Sequence, residues 1–259
     1  MQRSIGAACV ALVAGQPRAR LTALDQSGSA RIMLPALDKV PEVVILNTGG
    51  GLAGGDRLSY SIDIGAGLVA RATTQTAERA YRSTGATARV DLAMTVGAGG
   101  WLDWLPQETI LYQGARLHRR TRIDLAAGSG VMMAEMIVLG RAAMGEVVTD
   151  VALTDRREVW RDGHVVALDV LRLDAAALAT GAAGLNGARA LAALWLVCNG
   201  AEDMVAPLRA AVPEAGISAL PGRLMLRAAT RDAPALRALM ARALQTLRQT
   251  RALPRVWQM

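Results

Sequence analysis

The chain has 259 residues, 52% of them hydrophobic, and a formal net charge of +7 carried mostly by arginine. With a mean hydropathy of +0.26 it is far too apolar for a disordered segment, and it is long enough to bury a substantial core as one domain over residues 1–259. Two cysteines (Cys9, Cys198) and two histidines (His118, His164) are too few and too scattered for a closed zinc-type cage.

The basic balance admits nucleic acid, an anionic surface or an acidic protein as partner. The arginines are dispersed, and their densest group, Arg116-x-x-Arg119-Arg120-x-Arg122, falls on an apparent strand without interleaved aromatics. An acidic protein partner is therefore expected, with no nucleic acid. No apolar run reaches the about eighteen residues of a membrane span, since Arg189 interrupts the best candidate, so no membrane association is expected.

At the N-terminus, Arg3 and the apolar Ile5–Val13 superficially resemble a signal peptide. The run is brief and lacks an Ala-x-Ala site. It reads better as a strand, turned at Gly15-Gln16-Pro17 and continued by Ala19–Leu24, and the expected location is the cytoplasm. Short strands follow. Arg31–Leu34 ends at Pro35, and the apolar Val43–Leu46 leads into Asn47-Thr48-Gly49-Gly50-Gly51-Leu52-Ala53-Gly54-Gly55-Asp56-Arg57.

Gly49-x-Gly51-x-x-Gly54 has the spacing of a dinucleotide fingerprint, which would make the chain a nucleotide-dependent oxidoreductase. The fingerprint requires a helix after the glycines. Here Leu58, Tyr60, Ile62 and Ile64 alternate as in a strand, and no acidic residue closes a second strand about twenty positions on. The glycines read instead as a strand–loop–strand connection needing positive φ and close backbone approach.

A weak internal repeat comes next. Ile62–Gly67, Met94–Gly99 and Ile123–Gly128 are each an alternating strand closed by a Gly/Ala turn, roughly 30 residues apart, as in stacked coils or layered hairpins. Ala88, Val90, Leu92, Met94 and Val96 share one face. Leu117, Arg119, Thr121, Ile123 and Leu125 share another with a polar middle. Between them lies Trp101–Ile110, whose tryptophans read as core packing. Val131–Leu139 is apolar except for Glu135, a carboxylate that must be paired or must face water. Arg141 is its expected partner, and a ligand in an internal passage is the equal alternative.

The chain is β-rich over 1–170 and mixed over 171–259. Asp174 caps a short helix through Ala179, and Glu202–Val212 reads as an amphipathic helix stopped by Pro213. Arg223–Ala228 is a late strand. A closing helix starts at Asp232 and Pro234. Its apolar stripe is Leu236, Leu239, Met240, Ala243, Leu244 and Leu247, with Arg237, Arg242, Arg248 and Arg251 largely off it. That basic outer face is a candidate partner surface.

Gly50-Gly51-Leu52-Ala53-Gly54-Gly55-Asp56-Arg57-Leu58 resembles the signature of the urease accessory protein UreD (UreH) family. So do Thr73–Ala77 with Tyr81-Arg82-Ser83, Leu102–Ile110, Leu139-Gly140-Arg141 with Gly145-Glu146, and Pro254-Arg255-Val256-Trp257. Thr48 stands where many relatives have proline. The resemblance covers nearly the whole chain. It implies a mainly β fold, a layered, β-helix-like stack of largely antiparallel strands with two flanking helices. It also implies a non-enzymatic scaffold for the nickel centre of urease. Such a scaffold would bind UreF, the GTPase UreG through UreF, and apo-urease in a hetero-oligomeric complex, with nickel only in transit and no tightly bound cofactor. On that basis Asp56, Glu108, Glu135 and Glu146 are candidate passage carboxylates. Thr74 and Gln75 are candidate lining, and Arg141, Gly50, Gly51, Gly54 and Gly55 complete the motif. No nucleophile–base pair for catalysis stands out in the sequence.

Overall fold

The computed structural model describes residues 3–248 and 252–257. Strand β1 (Ile5–Val13) turns back antiparallel on β2 (Arg20–Ser27), and β3 (Ala30–Ala36) pairs antiparallel with β4 (Glu42–Asn47). The chain then winds. After β4 come β5 (Arg57–Ile64), β6 (Val69–Thr74), β7 (Glu78–Ala80), β8 (Ala88–Val96), β9 (Trp101–Trp104) and β10 (Thr109–Leu111). Next are β11 (Ala115–Leu125), β12 (Gly130–Leu139), β13 (Val151–Arg161) and β14 (His164–Leu173). Helix α1 (Ala175–Ala179), β15 (Ala190–Val197), α2 (Val205–Ala211), β16 (Gly216–Leu220), β17 (Arg223–Thr230) and α3 (Ala233–Arg248) complete the described chain.

The strands form two facing sheets. One runs β14-β13-β11-β8-β5-β1-β2, the other β16-β17-β15-β12-β9-β6-β4-β3, with the short β7 and β10 beside them. Each turn of the chain gives one strand to each sheet, producing a β-solenoid-like stack of about four turns. The stack and the late helices are as expected, whereas the pairing direction differs. β5, β8, β11 and β13 are parallel neighbours, as are β4, β6, β9 and β12. Antiparallel pairs occupy the flanks. A chain that winds in one sense returns to each sheet in the same direction, which the alternation pattern of a single strand cannot reveal.

The internal repeat marks the corners. Gly67, Gly99 and Gly128 take the same left-handed φ, +66°, +64° and +67°, a conformation that glycine adopts without penalty. The corners stack through Gly67 N donating to Ala98 O (2.9 Å) and Gly99 N to Ala127 O (3.0 Å). The roughly 30-residue period is thus one coil of the stack.

Two cores result. Between the sheets lie the inward positions of the alternating strands, among them Leu58, Ile62, Val90, Met94, Leu117 and Ile123. On the outer side of the second sheet, α2 and α3 cover Met132, Met136, Leu194, Leu196, Leu224 and Leu226. Strand β12 is therefore buried on both faces, which explains its unbroken apolar run.

The expected helix starts are in place. Asp174 Oδ1 accepts from Ala177 N and Asp232 Oδ1 from Ala235 N, both at 2.7 Å. All six stripe residues of α3 are buried. Arg248 is not on the outer face. It too is buried, and its guanidinium pairs with Asp103 on β9. Arg251 lies outside the described residues. Strand β16, which hairpins onto β17, has no counterpart in the sequence reading.

Candidate functional site

The polar middle of β11 opens a buried ionic chain between the sheets. Arg119 and Asp155 face each other in register on parallel strands. Arg119 donates from Nε to Asp155 Oδ1 (3.0 Å) and from Nη2 to Oδ2 (2.6 Å), while its Nη1 donates to Thr109 Oγ1 at 3.0 Å. The same Nη1 lies 3.0 Å from Glu135 Oε2, and Glu135 Oε1 accepts from Trp104 Nε1 at 2.8 Å. Arg157 continues the chain, reaching Asp155 Oδ2 at 3.0 Å and Asp169 Oδ2 at 3.1 Å, and Arg227 closes on Asp169. The ions alternate in sign from the second sheet, across the first, and back.

Burial works against the charge on both Glu135 and Asp155, and the arginines around each decide how far it prevails. Burial pushes the Glu135 carboxyl above its ordinary range despite Arg119. Asp155 is as deeply buried, but Arg119 and Arg157 together hold it below the usual aspartate value. Glu78, close enough for Arg119 to lower it electrostatically, is likewise raised by burial.

The chain joins two cavities. A small one of about 90 Å³ lies under the glycine loop, lined in part by Asn47, Gly51, Thr74, Gln75, Glu78 and Arg119. A more open one of about 530 Å³ is lined in part by Glu135, Arg157, Asp169, Arg227 and Glu214. Thr74 and Gln75 are among the residues that line the small cavity. Thr74 Oγ1 accepts from Gln107 N at 2.9 Å and donates to Thr76 O at 3.2 Å.

The four candidate carboxylates are not brought together. Asp56 is buried, with Oδ1 accepting from Ser4 N and Oδ2 from Ala53 N, both at 2.8 Å, so it pins the glycine loop to the chain start. Glu108 is partly exposed and stands 3.7 Å from Arg237 Nη1. Glu146 accepts from Arg141 Nε at 2.9 Å and from Gln113 N at 3.1 Å in a surface loop. Arg141 is therefore engaged with Glu146, and the partner of Glu135 is Arg119, because β11 faces β12 across the core. Among the described residues no group of three or more His, Cys, Asp or Glu could hold a metal ion.

The glycine loop runs from β4 to β5 with no helix after it. Gly50 and Gly51 line the small cavity, and Tyr81 donates from its hydroxyl to Gly50 O at 2.8 Å. A Cβ on Gly54 would meet Ser83 Oγ at 2.1 Å, and Gly55 sits at φ +94°. Trp104 is buried in the core between the sheets, the half-buried Trp101 packs against the second core, and Trp257 donates to Leu105 O at 2.8 Å, joining two of the family-like motifs.

Glu78, Asp155, Arg157 and Asp169 were not singled out from sequence. The signal was present in Val151-x-Leu153-x-Asp155-x-Arg157-x-Val159, where opposite charges two apart occupy an otherwise apolar strand face.

The family model of the UreD urease accessory protein matches residues 6–258. The urease accessory protein UreD of Cereibacter sphaeroides (strain ATCC 17025) is 52% identical, over all of this chain and 96% of its own length. That of Paracoccus denitrificans is 52% identical over all of this chain and 93% of its own, and that of Dinoroseobacter shibae 44% over all of this chain and 94% of its own. The chain belongs to the UreD urease accessory protein family, whose role lies in urease assembly.

Proposed function

We propose that this chain is a non-catalytic scaffold for loading nickel into urease, and that nickel travels through its interior as cargo. The observation that carries this reading is the buried ionic chain Arg119–Glu135/Asp155–Arg157–Asp169, which links one cavity to the other between the sheets. Carboxylates met one or two at a time, each opposed by an arginine, bind a hard-to-borderline dication weakly and release it, unlike a closed Cys/His cage. Glu135 is the passage candidate best supported by its position, with Glu78 and Asp169 at either side. The engagement of Asp56 and Glu146 with neighbouring N–H groups suits them to holding loops.

In this reading the chain works in the cytoplasm inside a hetero-oligomeric complex, binding UreF, UreG through UreF, and apo-urease. It keeps no tightly bound cofactor. The test is urease activation in a host carrying the urease and remaining accessory genes, with and without this chain, under limiting nickel. Nickel content and activity of purified urease should both collapse without it. Glu135→Ala, if folded and still in the complex, should leave urease underloaded. Full loading by that variant would remove Glu135 from the passage.

A further inference from the structure

The outer face of the first sheet carries a register row of basic side chains that the fold leaves without carboxylate partners. Arg57 on β5 stands opposite Arg89 on β8, Arg89 opposite His118 on β11, His118 opposite Thr154 on β13, and Thr154 opposite Arg172 on β14. All but the half-buried Thr154 are exposed. Among the described residues none of the three arginines lies within ion-pair distance of a carboxylate. Elsewhere on this face several charges are paired, although among the described residues Asp91 on β8 and Asp63 on β5 stand outside any ion pair. Arg120 and Arg156 both hold Glu158, and Arg122 holds Asp124. Burial opposes the charge on Glu158, yet the hydrogen bonds from Arg120 and Arg156 keep its carboxyl below the usual range.

Like charges directly opposite each other across strands cost stability. A sheet that pairs Glu158 and Asp124 with arginines but leaves three arginines in one register row, Arg57 and Arg89 directly opposite each other, has kept a local conflict of the kind found at functional sites. We propose that this row is a docking strip for an acidic segment of a partner protein. Neighbouring strands lie about 4.8 Å apart, so the row from β5 to β14 spans roughly 19 Å. An extended segment with a carboxylate on every second residue repeats about every 6.8 Å, which places three or four carboxylates along that length. Guanidinium forks pair with carboxylates in two-bond geometry, and their long stems absorb the difference in pitch.

A single-stranded nucleic acid fits less well. Among the outward positions of these five strands Trp160 is the only Phe, Tyr or Trp, and the Arg122 guanidinium already covers its ring at 4.4 Å. That leaves the lone His118 ring, without the succession of aromatic side chains on which neighbouring bases stack. The strip requires only that the partner be acidic and stands apart from the passage.

The probe is fluorescein-labelled polyglutamate of about twenty residues, long enough to cover the row, followed by anisotropy at rising salt. Arg57→Gln/Arg89→Gln/Arg172→Gln should weaken binding about tenfold or more, and the remaining affinity should depend less on salt. The control Arg18→Gln/Arg20→Gln/Arg231→Gln, with the same loss of charge, should bind nearly as the parent does. The row variant should melt at the parent temperature or higher, since repulsion has been removed. Equal weakening in both variants, no weakening, or a fall in melting temperature of the row variant would each overturn the strip. So would displacement of polyglutamate by a single-stranded oligonucleotide at lower concentration than by unlabelled polyglutamate.

Discussion

Arg119 grips Asp155 through two parallel hydrogen bonds between adjacent strands, and both side chains are shut between the sheets. Removing one partner of such a pair strands the other. Asp155→Asn is expected to destabilise the protein by about 3–5 kcal/mol, because Arg119 and Arg157 would both lose a charged acceptor. Urea unfolding at neutral pH measures it, and a loss under about 1 kcal/mol would show that the arginines repack or hydrate freely.

Acid should show the same pair from the other side. The folded protein holds the Asp155 carboxyl below its ordinary 3.8. Its contribution is therefore complete above that value and is lost as pH falls below it toward the folded one. Glu135 has the opposite sign. Its carboxyl is raised above the ordinary 4.5 by burial, so the folded state keeps a proton that the unfolded chain releases. Stability accordingly declines as pH rises from about 4.5 through the raised value. Glu135→Gln keeps an oxygen for Trp104 Nε1 and removes this titration. Its melting temperature should change less than the parent's between pH 5 and pH 8, and an unchanged difference would show that Glu135 does not titrate there.

Two adjacent glycines should respond differently to the same change. Gly51 is at φ +147°, and a Cβ there would stand 2.4 Å from the Tyr81 ring and 2.7 Å from Arg79 O. Gly50, at φ +75°, faces open space. Gly50→Ala should cost about 1 kcal/mol for the left-handed backbone, and Gly51→Ala about 2 kcal/mol or more because loop and Tyr81 must separate. Denaturant midpoints compare them directly, and equal costs would mean that the contact with Tyr81 is soft.

Arg248 and Asp103 offer a test of a buried ion pair 145 residues apart in sequence. Trp101 Nε1 also donates to Asp103, at 2.7 Å. Arg248→Met should cost about 3–5 kcal/mol, whereas Asp103→Asn/Arg248→Met should recover most of that loss. A double variant as unstable as the single one would place the cost in lost packing of the arginine stem rather than in charge.

Much of this architecture can be read from local pattern. The alternation in Ala88–Val96, the helix starts at Asp174 and Asp232 and the α3 stripe all hold, because each depends on neighbours within one element. The coil period is visible for the same reason, since one corner glycine recurs at the end of each repeat. Strand direction and partners depend on how distant segments meet. The parallel pairing, the choice of Arg119 over Arg141 for Glu135, and the burial of Arg248 are therefore invisible to spacing alone. Of the candidate site, the motifs mark Glu135, Thr74 and Gln75, whereas the ionic chain around Glu135 is spread over β11, β13, β14 and β17 and has no single local pattern to announce it.

The clasp between Arg248 and Asp103 also bears on how the molecule comes into being at the ribosome. Coils can stack on one another as each emerges, since every new strand lies against its predecessor in the same sheet. Asp103, in contrast, is made early and meets its guanidinium only when the last turn of α3 has cleared the exit tunnel. Until then β9 and β12 show the growing chain's surroundings an apolar face that α3 will later cover. The coils are thus latched only once α3 is in place, and nascent chains halted short of it are the ones most in need of a holding chaperone.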